Sequence, residues 1–136
     1  MAREIRVRDG IIEELLRHAR TEPRIECCGL LGGSNGIITR IFPAKNALDS
    51  ATAYEIAPQE AFKFFRQIRE EGLDHLGLYH SHPASDNVPS PTDIELAYYP
   101  DQAYFIISLW PEAERPVRVF FIRDGHAEEA GLRTLA

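Results

Sequence analysis

The chain switches repeatedly between two hydrophobic periods, one typical of strands and one typical of helices. Over residues 4–8 the apolar residues Ile5 and Val7 alternate with charged ones, which predicts a short half-buried strand. Asp9 then predicts a helix N-cap, because apolar residues recur after it at helical spacing and the pattern ends before Pro23. The apolar positions of this helix are Ile12, Leu15, Leu16 and Ala19.

The next part of the chain predicts a hairpin and a second helix. Two extended apolar runs, 27–31 and 36–42, flank a glycine-rich turn and indicate paired strands. Pro58 suits the first turn of a helix that ends at Gly72. We expect this helix to bury Ala61, Phe64, Phe65 and Ile68. We also expect Phe62, Phe64 and Phe65 to form a cluster that builds the core.

The remaining pattern predicts three more strands and one more helix. The strands cover 76–79, 104–110 and 117–122, the helix covers 92–99, and a short final segment follows the turn at Asp124-Gly125. Strands and helices in this order indicate an α/β or α+β sandwich. Because several strand pairs are hairpins, we expect a mixed, mostly antiparallel sheet flanked by helices.

Length and charge limit the possible functions. With 136 residues, of which 44% are hydrophobic, we expect one domain over 1–136. The net charge of −6 comes from interspersed acidic and basic residues, so no basic stripe indicates nucleic acid or an anionic membrane as a partner. No apolar run approaches the roughly 20 residues of a bilayer-spanning helix, and the first residues lack the apolar stretch of a secretion signal. We therefore expect a cytoplasmic protein.

The two cysteines agree with that location. Cys27 and Cys28 are adjacent, which makes them a poor pair for an intrachain disulfide and suits a reducing compartment. Free cysteine is among the most frequently buried residue types, so we expect both thiols to pack in the core.

The residues that carry chemistry lie between 79 and 93. His80 and His82 are separated by one residue at the exit of a predicted strand, so both imidazoles point to the same side. Both nitrogens can then reach one ion at about 2.0 to 2.1 Å, while the carboxylate of Asp93 completes a three-residue ligand set. Three protein ligands leave a fourth tetrahedral position open, which is typical of catalytic zinc. We predict one zinc ion per chain.

Structural explanations compete with this interpretation. The run from Ser90 to Asp93 matches a capping box with proline in the first helical turn, and an isolated histidine such as His18, His75 or His126 is usually hydrogen-bonded or exposed. Four specified residues at fixed offsets are nevertheless rare by chance. The two roles are also compatible, because the positive end of a helix keeps a first-turn carboxylate ionised.

The pattern His80-x-His82-x7-Ser90-x2-Asp93 resembles the motif of the MPN-domain metalloproteases, also called the JAMM or JAB-type family. Two further segments are similar to the family. The run 26–33 resembles its segment with a catalytic glutamate before a Cys-Gly-Leu strand, and 54–58 resembles its strand-into-helix junction. The likeness covers roughly residues 5–122. It implies a cytidine-deaminase-like α/β fold, one zinc ion and hydrolysis of peptide or isopeptide bonds.

The resemblance also implies roles for individual residues. His80, His82 and Asp93 would bind zinc, and Glu26 would take a proton from water and pass it to the leaving amine. Ser90 would donate its hydroxyl to the oxyanion of the tetrahedral intermediate. Three nearby acids, Glu22, Asp86 and Glu95, are the possible substitutes for Glu26.

The substrate class follows from the resemblance as well. Only short loops, chiefly 44–53 and 84–89, are available where eukaryotic members carry insertions that hold ubiquitin, and the compact chain resembles the stand-alone prokaryotic subgroup. That subgroup implies a small ubiquitin-like or sulfur-carrier protein as partner, from whose C-terminal Gly-Gly an adduct such as cysteine is released. We expect the carrier tail to add to a sheet edge. A peptidase of other peptides or ubiquitin-like conjugates and a non-catalytic MPN scaffold are the alternatives, whereas a nucleoside deaminase is excluded because the P-C-x-x-C pair of that chemistry is absent.

Overall fold

The computed structural model describes residues 3–136, which form seven strands and three helices. The strands are β1 (Glu4–Arg8), β2 (Cys28–Ser34), β3 (Ile37–Ala44), β4 (Asp74–His82), β5 (Ala103–Ser108), β6 (Val117–Arg123) and β7 (His126–Leu135). The helices are α1 (Ile11–Thr21), α2 (Pro58–Glu70) and α3 (Pro91–Glu95). None of these helices combines the length and the apolar character needed to cross a bilayer.

The strands form one mixed sheet that closes on itself in the order β1-β3-β2-β4-β5-β6-β7. Four of the neighbouring pairs are antiparallel and three are parallel, as predicted for a mixed, mostly antiparallel sheet. The sheet closes because β1 pairs in parallel with both β3 and β7 and so joins its two ends, a closure that the sequence pattern did not predict. Each of these seven strands has two neighbours, and the closing contact between β1 and β3 is short, with Arg6 opposite Ile37 and Val7 opposite Ile38.

Helices cover both faces of the sheet. Alternate residues of β5 point to opposite sides, so Phe105 and Ile107 belong to one apolar cluster while Tyr104 and Ile106 belong to the other. Helix α1 contributes to the first cluster and α2 to the second. Cys27 and Cys28 divide between the two clusters in the same way, and both are fully buried, as predicted.

Helix α1 begins differently from the prediction. The N-cap is Gly10 in a left-handed conformation, not Asp9. The backbone N–H of Asp9 donates to the carbonyl of Leu135 at 2.8 Å and so extends the β1–β7 pairing, which forces the chain to turn one residue later. Glycine tolerates the φ of 93° that this turn requires. Ile11 takes a buried position in place of the predicted Ile12.

Two other predictions about helices are wrong. Phe62 is 66% exposed and takes no part in the core, because α2 buries Phe64 and Ile68 on its other face. Helix α3 ends at Glu95 instead of Tyr99. Pro100 disfavours helical geometry at Tyr99, whose N–H donates to the hydroxyl of Tyr104 at 3.1 Å instead of to a helical carbonyl.

The backbone of Gly29 is closely packed against neighbouring residues, so a larger side chain should destabilise the sheet. A Cβ at this position would lie 2.5 Å from the carbonyl oxygen of Phe42 and from the ring of Tyr79. We expect Gly29→Ala to lower the free energy of unfolding by about 3 kcal/mol, as overpacking in a dense core does. Urea unfolding measures this. The matched control is Gly131→Ala in β7, where the nearest atom is 3.6 Å away; an equal loss in both variants would contradict the packing argument.

Candidate metal centre

Strand β4 carries two buried histidines into the centre of the sheet, between β2 and β5. Because side chains alternate along a strand, Leu78, His80 and His82 share the face that α2 covers. The exposed fractions of His80 and His82 are only 1% and 4%. Their Nε2 atoms lie 3.3 Å apart. The prediction that both imidazoles point to the same side is therefore confirmed.

Asp93 reaches the two imidazoles from the first turn of α3. Its Oδ2 lies 3.1 Å from Nε2 of His80 and 3.0 Å from Nε2 of His82. The same oxygen accepts a hydrogen bond of 2.9 Å from the N–H of Ser90, while the hydroxyl of Ser90 accepts one of 3.0 Å from the N–H of Asp93. The predicted capping box is thus formed, and it directs the carboxylate at the histidines.

The three donor atoms fit a zinc ion. Separations of 3.0 to 3.3 Å join Nε2 of His80, Nε2 of His82 and Oδ2 of Asp93. A tetrahedral ion at about 2.0 to 2.1 Å from each donor separates neighbouring donors by about 3.3 to 3.4 Å, so small movements suffice. Two imidazoles and one carboxylate are also a donor set that zinc prefers. Within residues 3–136 these residues are the cluster that is compatible with a metal ion.

His82 is held by a hydrogen bond on the side away from the cluster. Its Nδ1–H donates to the carbonyl of Asp86 at 2.7 Å, and because a carbonyl can only accept, Nε2 of the neutral ring carries the free lone pair. Asn87 fixes this loop, since its side-chain amide is fully buried and donates to the carbonyl of Arg115 at 2.7 Å. Sequence reasoning missed Asn87, because nothing in its neighbours distinguishes it from an exposed loop asparagine.

The charges of the cluster reinforce each other. Burial by itself raises the pKa of Asp93, but hydrogen bonds from His80 and His82 outweigh it and hold the pKa below its usual range. Burial lowers the pKa of His80. Burial also acts to lower the pKa of His82, but the protonated ring donates to both the Asp93 carboxylate and the Asp86 carbonyl, which gives a net rise. An ionised carboxylate beside the two rings favours a bound cation.

Glu26 joins the site because of the register between β2 and β4. Cys28 pairs with His80, so the antiparallel register continued by two residues sets Glu26 opposite His82 on the same face. The N–H of Cys27 also donates to the hydroxyl of Ser81 at 2.8 Å, which fixes this junction. Glu26 is 3% exposed, and its Oε1 has no hydrogen-bond partner in the part of the chain that the structure describes.

The pKa of Glu26 is raised to about 8, chiefly by burial and to a smaller extent by the negative charge of Asp93, while His82 acts to lower it. The three acids that could have replaced Glu26 have other partners or face solvent. The carboxylate of Glu22 contacts the ring of His18 at 2.7 Å, and that of Asp86 accepts from the N–H of Asn87. Glu95 is exposed. Of the four acids considered from the sequence, Glu26 is the one with an unpartnered buried oxygen beside the histidines.

A second buried asparagine organises the loop between β3 and α2. The side-chain amide of Asn46 donates to the carbonyls of Glu26 and Ala53 at 3.0 and 2.9 Å, and its oxygen accepts from the N–H groups of Leu48 and Glu55. Asn46 is fully buried. The amide therefore ties the backbone of Glu26 to the loop that carries Tyr54. Nothing in the sequence around Asn46 indicates this role.

An apolar cavity of about 370 Å³ adjoins the cluster, with His80 and Asp93 in its wall. Most of the other lining is aliphatic or aromatic and includes Leu30, Tyr54, Phe65, Leu78, Tyr99 and Tyr104.

The three histidines outside the cluster are hydrogen-bonded or exposed. His18 contacts the hydroxyl of Tyr79 at 2.7 Å, and His75 contacts the carbonyl of Gly77 at 2.9 Å. His126, in β7, is exposed, as expected.

The convergent His-His-Asp cluster beside an apolar cavity fits a metal-dependent hydrolase, and the relatives of the chain give the same class of protein. The chain belongs to the family described as prokaryotic homologs of the JAB domain, whose model matches residues 9–122. The resemblance to the MPN or JAMM family is thereby confirmed.

Two curated relatives are peptidases by name. The chain is 39% identical over 104 residues to the desampylase of Haloferax volcanii, covering 74% of this chain and 75% of the relative. It is 32% identical over 125 residues to the CysO-cysteine peptidase of Mycobacterium tuberculosis, covering 90% of this chain and 86% of the relative. The solution structure of a protein from Desulfitobacterium hafniense superposes with a TM-score of 0.84 at 32% identity, covering 96% of this chain and 92% of that one.

Proposed function

We propose that the chain is a zinc-dependent peptidase that hydrolyses the bond after the C-terminal Gly-Gly of a small ubiquitin-like or sulfur-carrier protein, for example to release cysteine. The convergence of His80, His82 and Asp93 beside the buried carboxyl of Glu26 carries the proposal. The names of the curated relatives support the substrate class, because one is a desampylase and another a CysO-cysteine peptidase.

His80, His82 and Asp93 hold the zinc ion in this proposal. The donor separations of 3.0 to 3.3 Å support that role. Zinc, when bound, supplies Lewis-acid chemistry, since it makes water more acidic and stabilises negative charge on oxygen. The protein contributes rigidity, because the capping box holds Asp93 and the carbonyl of Asp86 holds His82. Ligands fixed in advance need little rearrangement on binding.

Glu26 is the proton carrier of the reaction. A general base works best when its pKa lies near the working pH, and burial already moves the pKa of Glu26 from 4.5 to about 8. A cation held by the neighbouring ligands favours the carboxylate and brings that pKa back towards neutrality. Glu26 accepts a proton from the attacking water and later delivers it to the leaving amine.

Ser90 stabilises the oxyanion of the tetrahedral intermediate. Its hydroxyl oxygen accepts the capping bond from Asp93, so the hydroxyl hydrogen remains available to donate outward. Ser90 is only half-buried, which leaves room for a substrate carbonyl. A positioned donor of this kind strengthens as negative charge develops on the carbonyl oxygen.

The carrier tail binds along the apolar cavity beside the cluster. A volume of about 370 Å³ accommodates one or two apolar side chains upstream of the glycines, while the glycines pass the metal ligands. In this proposal the cavity and its flanking loop supply the affinity for the tail.

The test is to incubate the zinc-loaded protein with several Gly-Gly-ending carrier proteins, each extended by cysteine or linked through its C-terminus to a lysine side chain. Mass spectrometry follows the loss of the C-terminal adduct, which we expect for at least one carrier and which a zinc chelator should abolish. Short peptides without a carrier serve as the control. Cleavage of these peptides with every carrier left intact would contradict the substrate class, and no cleavage of any substrate would favour the non-catalytic scaffold.

A further inference from the structure

Tyr54 stacks on the first metal-ligand candidate. The ring centroids of Tyr54 and His80 are 4.6 Å apart and the two planes are inclined by only 23°. This is an offset-stacked arrangement, in which the face of one ring restricts the tilt of the other. No other aromatic ring of residues 3–136 makes such a stacked contact with His80; the ring of His82 is tilted by 56° at 5.1 Å.

The two histidines are held in different ways. A metal-ligating histidine usually donates its second ring nitrogen to a carboxylate, carbonyl or water, which orients the ring. His82 has this arrangement, since its Nδ1–H donates to the carbonyl of Asp86. His80 does not: its Nδ1 is buried without a hydrogen-bond partner in the described chain. Among the described residues, the contact that restricts the tilt of the His80 ring is the stacked face of Tyr54.

The loop that carries Tyr54 is held by hydrogen bonds of its own. Asn46 accepts hydrogen bonds from the N–H groups on this loop, including that of Glu55, the residue next to Tyr54. A bridge between Asn46 and Ile56 closes the loop, and the N–H of Ala47 donates to the carbonyl of Glu55 at 2.8 Å. These hydrogen bonds fix the backbone around Tyr54, so that its ring can restrict the orientation of the His80 ring.

From these contacts we infer that Tyr54 is a positioning residue of the metal centre, whose stacked ring orients His80 in place of the hydrogen bond that orients His82. The inference rests on the proposed function, because it takes His80 as a zinc ligand. The interaction that matters is the aromatic face and not the hydroxyl, so phenylalanine should replace tyrosine at this position while an aliphatic side chain of similar volume should not.

The zinc dissociation constant, measured by competition with a chromophoric chelator, tests the inference without any substrate. We expect Tyr54→Leu to bind zinc about tenfold more weakly than wild type, the lower end of the range for losing an orienting partner. Tyr54→Phe should stay within about twofold of wild type by the same reasoning. The visible absorption of the cobalt-loaded protein should change in Tyr54→Leu and not in Tyr54→Phe, because it reports the ligand geometry directly.

Controls separate stacking from packing. Tyr99 lines the same cavity but meets His75 edge-on at 5.9 Å, so Tyr99→Leu should leave zinc affinity unchanged. Thermal unfolding of the metal-free variants checks that Tyr54→Leu is folded, and Tyr54→Met replaces it if it is not. Equal zinc affinity in wild type, Tyr54→Leu and Tyr54→Met, or an equal loss in Tyr54→Phe and Tyr54→Leu, would overturn the inference.

A final comparison distinguishes failure of this inference from failure of the proposed function. His80→Ala should bind zinc far more weakly than wild type if His80 is a ligand. Unchanged zinc binding in His80→Ala contradicts the metal centre itself. Weak binding in His80→Ala with wild-type binding in Tyr54→Leu contradicts the positioning role alone.

Discussion

Replacing Glu26 by glutamine is expected to lower kcat on the preferred carrier by about a thousandfold while the protein keeps its zinc, which is the scale of a lost general acid and base. Glutamine preserves the shape of the buried side chain, but it cannot accept and return a proton. Zinc content by elemental analysis and kcat from the rate of adduct release are the two measurements. Full activity in this variant would show that the proton passes through another group.

The same substitution should stabilise the metal-free protein at alkaline pH. The pKa of Glu26 is about 8 in the folded protein, against an ordinary value of 4.5, so between these values the folded state holds a proton that the unfolded state has released. Stability therefore falls as pH rises through this window. Each unit of difference corresponds to 1.36 kcal/mol, and after allowance for solvent relaxation we expect a gain of about 2 to 4 kcal/mol for Glu26→Gln at pH 8.

The control is the neighbouring acid Glu22, which pairs with His18 at the C-terminal end of α1. Glu22→Gln should retain activity, since this carboxyl lies outside the cluster. Urea unfolding of chelator-treated proteins at pH 4 and pH 8 tests the linkage. The gap between Glu26→Gln and wild type should be close to zero at pH 4 and widest at pH 8, and a gap that is equal at both values would contradict the raised pKa.

The placement of the zinc-ligand candidates could be predicted from sequence because it depends on local geometry. A period of two sends His80 and His82 to one face of a strand, and the capping pattern sets Asp93 in the first turn of a helix. Both features depend on neighbours within a few residues. The distance between β4 and α3 could not be predicted from the sequence. The short connection of residues 83–90 nevertheless restricts α3 to positions beside the end of β4.

Glu26 could not be located from local pattern. Its position depends on the register between β2 and β4, in which Cys28 meets His80, and nothing near either residue determines that pairing. Family resemblance supplied the assignment. Tyr54 and Asn46 were missed for the same reason, because their contacts with His80 and with the backbone of Glu26 cross between separate elements.

Closure of the sheet could not be predicted from the sequence either. The strand β1 was predicted with its correct bounds, yet its parallel pairing with both β3 and β7 depends on segments about 30 and 130 residues away. The final segment was predicted to be short, whereas β7 runs from His126 to Leu135. It extends this far because it pairs with β6 along its first part and with β1 along its last part.

Replacing Asp93 by asparagine is expected to weaken zinc binding by more than about 100-fold, since a lost direct ligand should cost more than the 10- to 100-fold of a lost outer partner. Asparagine keeps an oxygen that can accept the capping bond from the N–H of Ser90, so α3 should remain in place. The carboxylate charge, which both imidazoles contact at 3.0 to 3.1 Å, is what the substitution removes.

The comparison variant Ser90→Ala separates the two roles of this helix end. It removes the hydroxyl that accepts from the N–H of Asp93 and should cost about 1 kcal/mol in unfolding free energy, while the three ligand atoms remain. We expect one zinc per chain in Ser90→Ala and less than one in Asp93→Asn at the same free zinc concentration. If Asp93 were only a helix cap, Asp93→Asn would bind zinc as well as wild type. Chelator competition and thermal unfolding on the same samples decide between a ligand that also caps a helix and a cap that merely lies near two histidines.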